Sequence, residues 1–452
     1  MTAEQLKEII SQMTLEEKAA MCSGDDFWHT KAVERPGVPR SMVSDGPHGL
    51  RKQDQSGDHL GINDSIKAVC FPTACGTAAS FNRDLLYSMG QTLGQECQAE
   101  DVSVILGPAV NIKRSPLCGR NFEYYSEDPY LATEIATSQI NGVQSRHVGT
   151  SIKHFMANNQ ETRRMSSDSR IDERTMREIY LAAFEGAVKH AKPWTVMCSY
   201  NRINGTYAAE NKQLLTDILR DEWGFDGYVV SDSDAVEYVY NKHHVAETYE
   251  EAVRMVLEAG LNVRTTFAAP DIFILPARKL VKEGRLSMKV IDERVADVLR
   301  VKFRLGLFDQ PFVADPKAAD KIVGADKNKD FVLDIQRQSL VLLKNENNLL
   351  PLDKNKLSRI LITGPLAKEE NYMVSRYGPQ ELENITVYEG IKNYLGNKVA
   401  VDYALGCKVK DAKWPESEII HSPLTTEEQQ EIQNAVEKAK LSDIVIAGLG
   451  ED

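Results

Sequence analysis

The sequence lacks several features that assign a chain to a common class of protein. No apolar run approaches the ~20 residues that span a bilayer, and the charged first residues have no signal-peptide core. The chain has 54 Lys and Arg against 66 Asp and Glu, a net charge of −12, which is not the basic excess of a nucleic-acid binder. We therefore expect no membrane or nucleic-acid partner. We expect a cytoplasmic location, with the periplasm or secretion possible if a signal peptide has been removed.

Paired cysteines and several catalytic motifs are also lacking. The seven Cys residues are an odd number, and the one close pair, Cys70 and Cys75, has no accompanying His or second pair. This pattern predicts free thiols in a reducing compartment and no metal site. G-x-S-x-G, H-E-x-x-H and G-x-x-x-x-G-K-[ST] motifs do not occur, and Gly448-Leu449-Gly450 has no third glycine for a dinucleotide loop.

The sequence does contain a regular alternation of predicted strands and helices. Its 452 residues, 42% of them hydrophobic, are enough for a large core. Strands are predicted at residues 41–44, 102–106, 148–155, 194–199 and 228–231, with helices between them. This alternation predicts a parallel sheet covered by helices, and polar clusters after the strands are typical of (β/α) barrels.

A Gly-, Pro- and Asp-containing stretch from residue 306 predicts a domain boundary. We predict a barrel domain at 1–305, a linker at 306–329 and, at 330–452, the N-terminal part of an open α/β sandwich domain. Residues 444–449 form the most apolar strand of the second domain, which is typical of a central strand. The chain stops three residues later. We expect this domain to be completed by a further C-terminal segment or a second chain.

Five polar clusters follow the predicted barrel strands, and each has a structural alternative. In the first, Asp45 lies on a Gly/Pro loop and could accept hydrogen bonds from sugar hydroxyls, bind a cation, or only cap a turn. In the second, Arg114, Arg120 and Glu123 crowd one loop, as a binding site or as a structural ion-pair network.

The remaining clusters contain a basic pair, a tyrosine and two carboxylates. Lys153 and His154 are adjacent at a strand end, so they point to opposite faces unless the backbone is irregular there. Tyr200 is either a functional hydroxyl or a surface tyrosine. Asp232 and Asp234 follow a buried strand and could act as nucleophile, base, metal ligand or helix cap.

Taken in order, these motifs resemble one family. The order D-G-P-H-G-L-R, G-R-N-F-E-Y-Y-S-E-D-P, K-H-F, S-Y-N-R-I-N-G and G-F-D-G-Y-V-V-S-D closely resembles glycoside hydrolase family three, and more narrowly its bacterial β-glucosidase branch. The resemblance extends from about Met13 to the end of the chain. It implies a TIM-type barrel followed by an α/β sandwich domain.

The resemblance also implies a function and a set of site residues. The function is that of a retaining, exo-acting β-glucosidase, acting on a β-linked oligosaccharide or glycoside without a cofactor or metal. Asp232 matches the nucleophile, which needs nearby cations to keep its pKa low. Arg114 and Glu123 are expected to support the site. The positions that match sugar-binding residues are Asp45, Arg120, Lys153, His154 and Tyr200.

Two departures from the family pattern leave alternatives open. Many relatives have Trp after the nucleophile, where this chain has Ser233, which leaves a β-xylosidase or a broad β-glycosidase possible. The general acid/base Glu is expected beyond residue 452, and Glu451 lies one loop element too early for it. A catalytically incomplete sugar-binding fragment is the alternative from another class.

Overall fold

The structure, a computed structural model, describes residues 3–53, 64–309, 319–370, 377–380, 384–409 and 423–450. These form two compact units. The first comprises the chain up to Leu340 together with residues 377–380, and the second comprises the rest. The division thus falls after the sequence-predicted linker at 306–329. The reason is packing: helix Asp326–Ser339 buries Ile335 fully in the core of the first unit, and Phe331 packs against that core.

Polar caps and apolar faces explain where the helices of the first unit lie. Thr14 forms a capping box with Glu17, and Asn82 and Asp128 accept hydrogen bonds from the first turns of the helices that follow them. No helix in the described part of the chain is long and apolar enough to cross a membrane. The α-helices are Ala3–Gln12, Leu15–Met21, Ala74–Ala78, Arg83–Ala99, Pro129–Gln144, Glu173–Thr175, Ala182–His190, Ala235–Asn241, Tyr249–Ala259, Asp271–Lys282, Met288–Arg304, Ala319–Ile322 and Asp326–Ser339, and π-helical segments cover Met176–Tyr180 and Gln213–Glu222.

Three sheets are present among the described residues. The strands, numbered along the chain, are β1 (His29–Thr30), β2 (Ser41–Ser44), β3 (Val104–Ile105), β4 (Gly149–Phe155), β5 (Asp168–Ser169), β6 (Thr195–Cys198), β7 (Arg202–Ile203), β8 (Thr206–Tyr207), β9 (Tyr228–Val230), β10 (Arg359–Thr363), β11 (Ala400–Ala404) and β12 (Ile444–Ala447). The main sheet has the order β1-β2-β3-β4-β6-β9, with β2 to β9 parallel and β1 antiparallel to β2. A small sheet joins β5, β7 and β8.

The main sheet closes on itself. Val230 at the end of β9 forms a parallel bridge with Val263, and the neighbouring Arg264 bridges Ser23. Gly24 then bridges Thr30 of β1, which pairs with β2 and completes the ring. The core strands are buried on both faces, as expected of a barrel surrounded by helices. The predicted α/β barrel is confirmed.

The second unit is a smaller α/β domain. Its sheet has the order β11-β10-β12, all parallel, with helices at Val387–Leu395 and Thr426–Lys440. β10 is central, whereas the sequence predicted the apolar β12 in a central position; within the described residues β12 lies at the edge. An apolar strand sequence indicates a tendency to be buried, but it does not give the number of strand neighbours.

Candidate active site

The barrel brings five sequence-predicted positions to one rim. Asp45 directly follows β2, Lys153 and His154 lie near the end of β4, Tyr200 follows β6, and Asp232 follows β9. Because these strands are parallel, their carboxyl ends meet at the same end of the barrel. Arg120 joins them from the loop before the short 3₁₀ helix Asn121–Glu123.

One side of the rim is a set of buried charges, Asp45, Arg120, Glu123 and Lys153, which we call the ion-pair cluster. Lys153 Nζ lies 3.3 Å from Asp45 Oδ1 and 3.8 Å from Glu123 Oε2. The Arg120 guanidinium donates to Glu123 Oε1. Burial alone would raise the pKa of Glu123, but Arg120 and Lys153 outweigh it and hold the pKa below its ordinary value. Glu123 is therefore ionised, and the cluster is internally paired.

His154 is held beside this cluster by its own backbone. Its N–H donates to Asn111 Oδ1 at 2.7 Å, and Asn111 Nδ2 donates to the His154 carbonyl at 2.9 Å. The β4–β6 register shifts between Ile152 and Phe155, which is the irregularity that adjacent functional side chains require. Burial, with Arg120 and Lys153 nearby, lowers the pKa of His154 well below its ordinary value, so the ring is neutral at pH 7. A neutral imidazole can donate one hydrogen bond and accept another.

The other side of the rim contains Asp232. Its Oδ1 accepts a hydrogen bond from the Ser233 backbone N–H at 2.8 Å. Burial raises the pKa of Asp232, and the opposing charges of Arg164, Arg120 and Lys153 do not cancel that effect. The sequence predicted a pKa held low by Lys153, His154 and Arg120. The net direction differs because burial of Asp232 outweighs the nearby cations, and His154, being neutral, is not one of them.

Tyr200 lies beside Asp232 with its hydroxyl oriented by the backbone. The phenol donates to the Ser233 carbonyl at 2.6 Å, and the Arg164 guanidinium carbon lies 4.8 Å from the centre of the Tyr200 ring. Burial and the Asp232 charge raise the pKa of Tyr200 well above its ordinary value, so the hydroxyl stays protonated. We call Asp232, Arg164 and Tyr200 the carboxylate side of the site.

Two models of one protein family together match most of the chain. The glycosyl hydrolase family 3 N-terminal domain matches residues 52–301, and the family's C-terminal domain matches residues 340–452. The chain belongs to glycosyl hydrolase family 3. The family that the ordered motifs resembled is thereby confirmed.

Individual family 3 proteins are similar over most of this chain. The thermostable β-glucosidase B of Acetivibrio thermocellus is 46% identical over 90% of the chain and 51% of its own length. An exo-α-(1→6)-L-arabinopyranosidase of Bifidobacterium longum is 39% identical over 98% of the chain and 54% of its own length. The structure of β-glucosidase 3B from Thermotoga neapolitana with glycerol has a TM-score of 0.75 at 33% identity, covering 96% of this chain and 57% of that one. The chain thus spans about half the length of the curated relatives it matches.

Two residues of this family 3 site differ from the sequence-based expectation. Arg164 was not selected, although it lies on the polar loop after β4 and its Nη1 is 2.8 Å from Glu161 Oε2. The sequence signal that could have indicated Arg164 is its position three residues after Glu161, on the loop that follows a barrel strand. Arg114 was expected to support the site together with Glu123, but its side chain is exposed, whereas Glu123 is buried and paired with Arg120.

Asp234, the second carboxylate after β9, does not share the surroundings of Asp232. Thr266 Oγ1 donates to Asp234 Oδ1 at 2.5 Å, and Asp234 begins helix Ala235–Asn241 with a left-handed backbone and no side-chain cap. The two carboxylates are therefore separated by local geometry, and Asp234 makes its own contact with the loop after Val263. Glu451, considered from the sequence as a general acid, lies outside the described residues.

Proposed function

We propose that this protein hydrolyses terminal, non-reducing β-D-glucosyl residues with retention, through a covalent glycosyl-enzyme on Asp232. One observation carries the proposal: the half-buried carboxylate of Asp232 lies at the rim of a barrel beside the internally paired ion-pair cluster. The names of the family 3 relatives support a β-glucosidase. Because the chain spans about half of those relatives, the activity of the whole protein is proposed here.

In the first proposed step, a carboxylate oxygen of Asp232 attacks the anomeric carbon. The glycosidic C–O bond breaks, its electron pair stays on the leaving oxygen, and a general acid protonates that oxygen. In the second step, the deprotonated acid takes a proton from water, the water oxygen bonds to the anomeric carbon, and the ester C–O bond breaks and releases Asp232 as a carboxylate. Arg164 and Arg120 stabilise the ionised form of Asp232 before attack.

The ion-pair cluster is proposed to hold the hydroxyl groups of the sugar. Asp45 is acceptor-only when ionised and suits a pair of adjacent hydroxyls, while Lys153 and Arg120 supply donors. His154 is neutral and can meet a hydroxyl as donor or acceptor. Bonds that shorten as the ring flattens toward an oxocarbenium ion lower the barrier to reaction.

The general acid is proposed to be a Glu from beyond residue 452, supplied by a further C-terminal segment or a second chain. A retaining mechanism requires this carboxyl group to lie ~5–5.5 Å from the nucleophile. A cytoplasmic location is also proposed, because every Cys is a free thiol and Cys407 is exposed.

The proposal is tested by trapping the glycosyl-enzyme with 2-deoxy-2-fluoro-β-D-glucosyl fluoride. Fluoride leaves with little acid assistance, so the label reports the nucleophile independently of the general acid. We expect one adduct in the intact mass and a labelled peptide containing Asp232. The Asp232→Asn protein should remain unlabelled and the matched Asp234→Asn protein should label normally. A label on another residue, or no label on folded protein with either the glucosyl or the xylosyl reagent, would refute the assignment.

A second candidate is a glycosidase for five-carbon sugars, such as a β-xylosidase, or a broad β-glycosidase. It is favoured by Ser233 after the nucleophile and by the arabinopyranosidase relatives. Hydrolysis rates on aryl β-glucoside, β-xyloside and α-L-arabinopyranoside distinguish these activities. Sugar binding without any covalent labelling would instead indicate a catalytically incomplete sugar-binding protein.

A further inference from the structure

Residues 377–380 follow the domain boundary in the sequence but belong to the first unit, where they pack on the barrel. Gln380 forms a parallel bridge with Lys67, its carbonyl accepts from Ala68 N–H at 3.1 Å, and its own N–H donates to Ser65 Oγ at 2.8 Å. Pro379 lies against Gly49, where a Cβ would come within 2.7 Å of Pro379 Cδ. Residues 377–380 accordingly group with the first unit.

These contacts place Tyr377 over the ion-pair cluster. The Arg120 guanidinium carbon lies 5.2 Å from the centre of the Tyr377 ring, and Lys153 Nζ lies 5.3 Å from it. Both cations are therefore within cation–π distance of one ring. Tyr377 is half-buried.

The charged groups that act most strongly on Tyr377 differ from those that act most strongly on Tyr200. Arg120, Glu123, Asp45 and Lys153 are the charged groups that act most strongly on the Tyr377 phenol. Tyr200, in contrast, is influenced most by Asp232 and Arg164. If Asp232 meets the anomeric carbon, the cluster beneath Tyr377 meets hydroxyls elsewhere on the ring.

We propose that Tyr377 is the wall that closes the ion-pair-cluster end of the sugar site and limits which substituents the terminal sugar carries there. This inference rests on the proposed function and adds a specificity-determining residue to it. A rigid ring anchored through Pro379 and Gln380 leaves room for a free hydroxyl and excludes a group attached to it. The site then accepts a chain end and rejects an internal or capped sugar unit.

The expected discrimination is that of one added methyl group in a closed pocket, roughly 10- to 200-fold in rate. The probes are 2-deoxy-2-fluoro-β-D-glucosyl fluoride and its 3-O-, 4-O- and 6-O-methyl derivatives. The rate of covalent labelling is measured for the full-length wild-type protein and for Tyr377→Ala, Tyr377→Phe and Tyr130→Ala. Tyr130 is a largely exposed residue on helix Pro129–Gln144 and serves as the matched control.

In the wild-type protein, we expect at least one methyl derivative to label roughly tenfold or more slowly than the parent reagent. Tyr377→Ala should remove that ratio, because the ring is gone, while Tyr377→Phe and Tyr130→Ala should keep it. The proposal is overturned if Tyr377→Ala leaves every ratio within about twofold of wild type. A uniform increase in the labelling rate of all four reagents in Tyr377→Ala would also overturn it. That result would mean that Tyr377 obstructs the whole site and does not discriminate among substituents.

Failure of the proposed function would be seen separately. If the wild-type protein forms no adduct with any reagent, the nucleophile assignment fails. The wall is then judged by calorimetric binding of a glucose-configured iminosugar and its mono-O-methyl derivatives to the same four proteins. Loss of the methyl discrimination in Tyr377→Ala alone supports the wall, and unchanged discrimination refutes it.

Discussion

The two sides of the candidate site handle charge in opposite ways. In the ion-pair cluster each carboxylate has a cation nearby, and the pKa of Glu123 is lowered despite complete burial. On the carboxylate side, burial outweighs the nearby cations and the pKa of Asp232 is raised. A paired cluster can hold neutral hydroxyls without changing its protonation, whereas a poorly compensated carboxylate gains by forming a neutral ester. The comparison supports the proposed division of the site into a binding side and a reacting side.

The largest expected effect tests the reacting side. Asp232→Asn should lower hydrolysis of an aryl β-glucoside by about 10⁴-fold or more, because no other group in the proposed mechanism forms the glycosyl ester. The midpoint of thermal unfolding should fall little or rise, since a half-buried, poorly compensated charge is removed. Steady-state rates and thermal unfolding measure the two effects. A loss below about tenfold would remove Asp232 from the chemistry.

The next effect tests the binding side as a structural network. Lys153→Met should lower the free energy of unfolding by about 3–5 kcal/mol, because it leaves Asp45 and the buried Glu123 without a shared cation. Urea denaturation measures this loss. The matched variant Lys189→Met breaks only the exposed pair with Glu185 and should cost at most about 0.5 kcal/mol. Equal losses in both variants would contradict the pairing described here.

A smaller effect tests whether the binding side touches substrate. Asp45→Asn should lower kcat/KM for an aryl β-glucoside by roughly 100-fold, about 2.7 kcal/mol of barrier, because the amide accepts hydroxyl hydrogen bonds less strongly. Measuring kcat/KM for the aryl β-xyloside in parallel shows whether the effect of Asp45→Asn depends on the sugar. Rates unchanged within about twofold would show that Asp45 serves only the ion-pair network.

The smallest effect tests the sign of the Asp232 shift. Asp232 must be ionised to react, so the labelling rate should fall as the pH drops through its pKa, which lies above the ordinary Asp value. Arg164→Gln removes the largest opposing charge and should move this acidic limb to higher pH. The exposed neighbour Arg163 provides the control variant Arg163→Gln. A shift of the acidic limb to lower pH in Arg164→Gln would contradict the conclusion that Arg164 lowers the pKa of Asp232.

Much of the fold and most of the site followed from local patterns. The alternation of strands and helices predicted the barrel, and the polar residues at strand ends predicted Asp45, Lys153 and Asp232 at one rim. Arg164 and Arg114 were misjudged because a loop side chain has no periodicity from which its direction can be read. The domain division at residue 340 was also missed, since the packing of Ile335 depends on a core built from distant segments.

The sequence by itself determined the family, the barrel and the order of the polar motifs, because these depend on short-range patterns and on strand direction. Only the tertiary structure decided the protonation tendency of Asp232, because desolvation sums over every neighbour of the carboxylate. It also placed Tyr377 over Arg120 and Lys153, more than 200 residues away along the chain. Such a contact depends on packing between residues that no local pattern connects.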